Sequence, residues 1–76
     1  MATFEDFKRR HIGYLVKAEG LKNRIGTNRE LLMDIRQFIQ DIAVFLRKNR
    51  ETLSQTQRAE LTLYRDRWSK LTEEYR

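Results

Sequence analysis

The chain contains no cysteine, no proline, and only three glycines (Gly13, Gly20 and Gly26) in its 76 residues. Without cysteine there is neither a disulfide nor a thiolate metal site. Small secreted domains usually depend on such staples, so the expectation is an intracellular, cytoplasmic protein. With no proline and few glycines, little interrupts the backbone, and long continuous elements follow. No apolar run approaches the ~20 residues of a membrane span, and mean hydropathy is −0.79; no membrane partner is expected. Glu5 and Asp6 precede the basic run Lys8-Arg9-Arg10, and no long apolar stretch follows. Signal and transit peptides look different on both counts.

The parts of an active site are also missing. His11 is the only histidine. A zinc ion needs three or four ligands, and a general base needs a group to orient it. No companion stands near His11 in the sequence, so its expected role is packing at the core boundary. Glu73 and Glu74 are adjacent and point to different sides of a helix, so they cannot work as an acid–base pair. Ser54 and Ser69 have no nucleophile context, and no glycine-rich phosphate loop is present. The chain is therefore expected to be no enzyme, with no cofactor, no metal and no small-molecule substrate.

What is present is helical period. Thr3 with Asp6 is a variant capping box. Phe4, Phe7, Tyr14, Ala18, Leu21 and Ile25 then recur at spacings of three and four, with His11 in the same stripe. Gly26 reads as the stop, with Gly20 as the alternative end that would leave 21–26 as a loop, and Thr27 with Glu30 reads as a second capping box. The second helix has the strongest pattern: Leu31, Leu32, Ile35, Phe38, Ile39, Ile42, Phe45 and Leu46 form a stripe wide enough for two neighbours. Ser54 with Gln57 opens a third helix, whose seam of Leu61, Tyr64, Trp68, Leu71 and Tyr75 is narrow and near heptad spacing. The fold predicted is one all-α domain spanning 1–76. It is an antiparallel three-helix bundle with long coiled-coil-like helices over about 4–25, 28–50 and 55–75, the second central. Gly20 followed by Leu21 imitates the turn of a helix-turn-helix, but the apolar positions that motif needs fall on Gly26 and Arg29.

Net charge is +5, a balance that favours acidic partners. Eleven of the sixteen basic residues are arginine, whose planar fork suits carboxylates and phosphates. Glu5–Arg9, Asp6–Arg10 and Asp66–Lys70 are spaced as local i,i+4 pairs. Two reversals of the chain bring Lys8 level with about Leu46 and bring Arg58 to the same end. That end collects Lys8, Arg9, Arg10, Arg47, Lys48, Arg50 and Arg58 against four acidic residues, Glu5, Asp6, Glu51 and Glu60. A second feature is apolar. Ile12 and Val16 fall roughly 100° or more from the core stripe of the first helix, on the side of Gly13 and Gly20. Small residues beside exposed branched ones permit close approach of another helix. Leu63 and Val44 are off their core faces too.

The expected function is a basic protein–protein interaction module (an adaptor, inhibitor or assembly factor) that docks through helix faces on another protein or on its own copy. Self-association is assigned to Ile12, Gly13, Val16 and Gly20. The alternative is nucleic-acid binding through the seven basic residues. Phosphate contacts would position such a protein, but no recognition helix or exposed aromatic platform accompanies them.

Overall fold

The computed structural model describes residues 3–75 and consists of three α-helices with one 3₁₀ segment. Helix α1 spans Phe4–Leu21, the 3₁₀ segment Lys22–Thr27, α2 Arg29–Lys48 and α3 Gln55–Glu74. No strand occurs among the described residues.

The helix starts follow from local chemistry. Thr3 N–H donates to the Asp6 carboxylate at 2.9 Å, and Asp6 N–H donates to Thr3 Oγ1 at 3.3 Å. The first capping box is thus made in both directions. The Thr3 hydrogen bonds, then Arg9, hold the Asp6 carboxyl below its ordinary range. Ser54 and Gln57 make the same reciprocal pair at the start of α3, a cap worth about 1 kcal/mol.

The opening of α2 corrects the sequence reading. Thr27 and Glu30 form no capping box. Asn28 is the cap, its Oδ1 accepting from Leu31 N–H at 3.0 Å, while Thr27 Oγ1 donates back to the Arg24 carbonyl at 2.7 Å. Asn outcompetes Thr at this position because its carbonyl reaches the third amide without the constraint of a branched Cβ. Of the two ends that the sequence offers for the first helix, the earlier one holds: α1 stops at Leu21, next to Gly20, and not at residue 25. After Leu21 the chain tightens into the 3₁₀ segment, which still buries Ile25. Gly26 therefore does not stop a helix. Its role is contact: a Cβ there would lie 2.5 Å from Cδ1 of the Tyr75 ring. Tyr75, which caps the C-terminal end of α3, rests on the bare backbone between α1 and α2.

The order of contacts gives the directions of the helices. As α1 rises, its partners on α2 fall: Phe7 meets Phe45 with ring centroids 4.6 Å apart, Arg10 meets Asp41, and Tyr14 donates to the Asp34 carbonyl at 3.4 Å. On α3 the partners rise with α1, His11 lying on Tyr64 and Tyr14 against Trp68. In the joint between α2 and α3, Asn49 acts twice. Its Nδ2 donates to the Phe45 carbonyl, and its own carbonyl accepts from Thr52 and Leu53. Leu53, which the stripes did not include, is buried beneath that turn.

The core contains the predicted stripes. Ile35, Phe38, Ile42, Leu61 and Trp68 are fully buried, and Phe7, Tyr14, Leu31, Leu32 and Tyr64 nearly so. Helices α2 and α3 pack closely against each other. Helix α1 meets them through aromatic rings, which hold its backbone farther off.

His11 is part of this core boundary. Its ring stacks on Tyr64 (3.9 Å between centroids, 13° between planes), and its Nδ1 accepts a 3.0 Å hydrogen bond from Trp68 Nε1–H. A protonated Nδ1 could not accept, so the ring is neutral here with its proton on Nε2. Burial lowers its pKa, Arg67 lowers it further, and Glu60 opposes both. Burial, then Glu60, pushes the Tyr64 hydroxyl up to about 12.

The His11 arrangement gives a pH prediction with a definite sign. The folded protein binds this proton less tightly than the unfolded chain does. Stability is therefore complete above the ordinary histidine value of about 6.5 and declines as pH falls below it towards the lowered folded value. With a single histidine, no other side chain ordinarily titrates between pH 5 and 7. Melting temperatures measured between pH 7 and pH 5 are expected to drop, and His11→Gln should flatten the profile. A wild-type melting temperature constant across that interval would contradict the assigned hydrogen bond.

Candidate functional site

The seven basic residues do converge on one end, as the contact of Phe7 with Phe45 requires. They are not equivalent there. Lys8, Arg9, Arg47, Lys48 and Arg50 are exposed. Arg58 is half-buried, and its Nη1 donates to the Arg50 carbonyl at 3.5 Å, tying the start of α3 to the end of α2. Arg9 lies 3.7 Å from Asp6 and remains 80% exposed at its side chain.

Arg10 is used internally. Its Nη1 is 3.1 Å from Asp41 Oδ2, and its guanidinium lies 4.7 Å from the centre of the Phe38 ring. The other Asp41 oxygen accepts from Gln37 Nε2 at 2.9 Å. Arg10 thus closes the core edge between α1 and α2, with one arm of its fork on Asp41. This corrects two expectations. Arg10 already has an internal partner, unlike the exposed members of the cluster, and its carboxylate is Asp41 on the next helix rather than Asp6 one turn away. The other local pairs shift as well: Arg9 pairs with Asp6 rather than Glu5, and Asp66 with Arg65 rather than Lys70. A cross-helix partner already held by packing costs less side-chain entropy than a mobile surface pair.

Three further features bear on nucleic acid, metals and membranes. Among the described residues no aromatic ring is fully exposed as a stacking platform: Tyr64 and Trp68 are buried and Tyr75 is half-buried over Gly26. No group of three His, Asp or Glu side chains gathers to hold a metal among the described residues. No helix in that span is long and apolar enough to cross a membrane.

The outward face of α1 is different in character. Ile12 is 51% exposed and Val16 66% exposed. Gly13 and Gly20 are exposed too, and a Cβ on either would meet no atom within 4 Å. Neither glycine is required by the packing of this chain. Each also weakens α1 by roughly 0.5–1 kcal/mol relative to alanine. Leu63 and Val44 are exposed, as their positions predicted, and so is Met33, which the sequence reading passed over.

Two surface concavities lie along the seam between α1 and α2. One, of about 520 Å³, is lined by Lys17, Gly20, Leu21, Glu30, Leu31 and Asp34, with Asn28 at its margin. The other, of about 500 Å³ at the basic end, is lined by Phe7, Arg10, Asp41, Val44, Phe45 and Lys48, with Asn49. Sequence reasoning did not single out Lys17, Asp34 or Asp41, and it used Glu30 only as a cap. The signal was present: Arg10 and Lys17 are seven residues apart on α1, and Asp34 and Asp41 are seven apart on α2. Two heptad-spaced pairs of opposite charge are what an antiparallel seam places side by side.

Comparison with protein-family models, curated proteins and solved structures finds no match to this chain.

Proposed function

We propose that the protein is a small docking module that binds another protein chain through helix faces, and that its own copy is one such chain. The observation that carries this reading is the outward face of α1. Ile12 and Val16 are each more than half exposed, beside two glycines that the internal packing does not use. Lone exposed apolar residues are ordinary. Branched side chains flanked by backbone that another helix can approach closely make a contact surface. A 76-residue bundle without disulfides also has a thin core, and association would add to it. The reading is of a binding module rather than a catalyst, in an intracellular setting where the absence of cysteine is unremarkable.

Ile12→Glu combined with Val16→Glu tests it. Both side chains lie outside the core, so helicity by circular dichroism should stay within a few per cent of wild type while association is lost in sedimentation runs. Association unchanged in the double variant would remove α1 from the docking surface.

The second reading, nucleic-acid binding, has one observation in its favour, the exposed cluster of Lys8, Arg9, Arg47, Lys48 and Arg50 at one end. It has less support than the first. The cluster lacks a helix aimed outward as a reader, and the rings that could stack on bases are engaged in packing.

A further inference from the structure

The two concavities of the α1–α2 seam differ in charge. At the basic end, Arg10 and Lys48 stand with one carboxylate, Asp41. At the other end, Glu30 and Asp34 stand with one ammonium, Lys17. The lining of each concavity therefore carries one net charge of opposite sign, and because Arg10 is paired with Asp41 the uncompensated charge at the basic end is Lys48. Glu30 and Lys48 are eighteen residues apart on α2, five full helical turns, so they share one side of the helix about 27 Å apart. Gly13 lies near the midpoint of that span, since Arg10 is level with Asp41 and Tyr14 with Asp34. Nothing lies within 4 Å of a Cβ placed at Gly13.

A surface that is basic at one end, acidic at the other and bare at its centre is complementary to itself under a two-fold rotation. We infer that the α1–α2 seam is the contact surface for a second copy of this chain, docked antiparallel. In that arrangement the Lys48 end of each copy faces the Glu30–Asp34 end of the other, and the two Gly13 backbones meet near the axis. This rests on the reading of α1 as a docking face; of that face it uses the side of Gly13 and Gly20 with Val16 at its border, and Ile12 lies outside the contact.

The contact closes with its two-fold axis, so it forms dimers and not filaments. Apolar contact supplies most of the affinity. Val44, 39% exposed on the rim of the basic concavity, comes level with Asp34 and with the turn of α1 from Tyr14 to Lys17 in the second copy, where Val16 borders the contact. The charges set direction: a parallel pairing would place like ends together, which is strongly unfavourable. The size is adequate, because a molecule 39 Å long and 21 Å wide presents a side on the scale of the ~800 Å² that each partner of a stable complex buries.

The experiment is a set of charge reversals read by light scattering and sedimentation of the full chain. Lys48→Glu alone and Glu30→Lys alone should each weaken self-association by about tenfold or more, because each puts like charges opposite one another twice per dimer. An equimolar mixture of the two single variants should associate as a heterodimer. Combining both changes in one chain should restore the homodimer with its polarity reversed. Gly13→Gln supplies an independent check. Glutamine is the better helix former, so the fold is kept, and its bulk at the axis should abolish association. Four results have assigned meanings. Loss in the single variants with recovery in the mixture supports the antiparallel seam. Self-association that is lost in the Ile12→Glu, Val16→Glu variant but indifferent to both reversals and to Gly13→Gln overturns this seam and leaves the docking reading standing. Loss in the singles without recovery in the mixture overturns the pairing of the two ends. A wild-type chain that stays monomeric at high micromolar concentration overturns the second copy as occupant.

Discussion

Phe38→Ala is expected to lower the melting temperature by roughly 15 °C or more, or to leave the chain largely unfolded at room temperature. Phe38 is fully buried on α2, where it receives α1: Tyr14 lies against it at 5.1 Å between centroids, Phe7 at 6.0 Å, and the Arg10 guanidinium covers its face. Truncating a buried phenylalanine to alanine costs about 3–5 kcal/mol, because the lost transfer energy is joined by a cavity the neighbours cannot fill. These neighbours are rings, which collapse poorly. A domain of this length has on the order of 4–11 kcal/mol in total, and each kcal/mol moves the melting temperature by roughly 4–8 °C. A further loss follows from Arg10, which would keep Asp41 but lose the ring beneath its charge. A fall of less than about 5 °C would show that α1 is not anchored on Phe38.

Trp68→Ala should be comparably damaging and should release α1 from α3. Trp68 is 1% exposed, meets Tyr14 edge-on at 6.0 Å, and gives His11 its hydrogen bond. Deleting it removes the largest side chain of the core and leaves His11 Nδ1 without its donor. The expected cost is again about 3–5 kcal/mol. Trp68→Phe separates the two contributions. It keeps most of the ring volume and loses only the donor, for which about 1–3 kcal/mol is the ordinary cost of an unpaired buried group. Thermal unfolding followed by circular dichroism decides between them. If the alanine and phenylalanine variants melt together, the ring volume contributes nothing and α3 does not dock on α1 as described.

Much of this architecture was legible in the sequence because the information is local. The stripe from Leu31 to Leu46 fixes which side of α2 is buried, and each buried member of it appears in the core. Ser54 with Gln57 and Thr3 with Asp6 announce helix starts through residues three apart, which the backbone brings together whatever the rest of the chain does. The exposure of Ile12 and Val16 followed from the helical period alone. The misses come from competition that a single helix does not reveal. Arg10 has a carboxylate one turn away in Asp6, and only the register of α1 against α2 shows that Asp41 is the better partner. Gly26 looks like a helix stop, yet its reason is Tyr75, forty-nine residues later. Thr27 and Asn28 are adjacent cap formers, and the sequence alone does not choose between them. The surface was readable in its parts and not in its arrangement. The basic end was visible as charge, whereas the acidic concavity opposite it needed the seam to be assembled first.

The central claim is that the unused face of α1, with its free glycines and exposed Ile12 and Val16, exists for contact with another chain, and first with its own. The most direct measurement is the molar mass of the wild-type protein by light scattering across a concentration series from low to high micromolar at physiological salt. The account predicts a rise from the 9.3 kDa of the single chain to a plateau at twice that value, with no larger species. A mass that stays at the single-chain value throughout would contradict it.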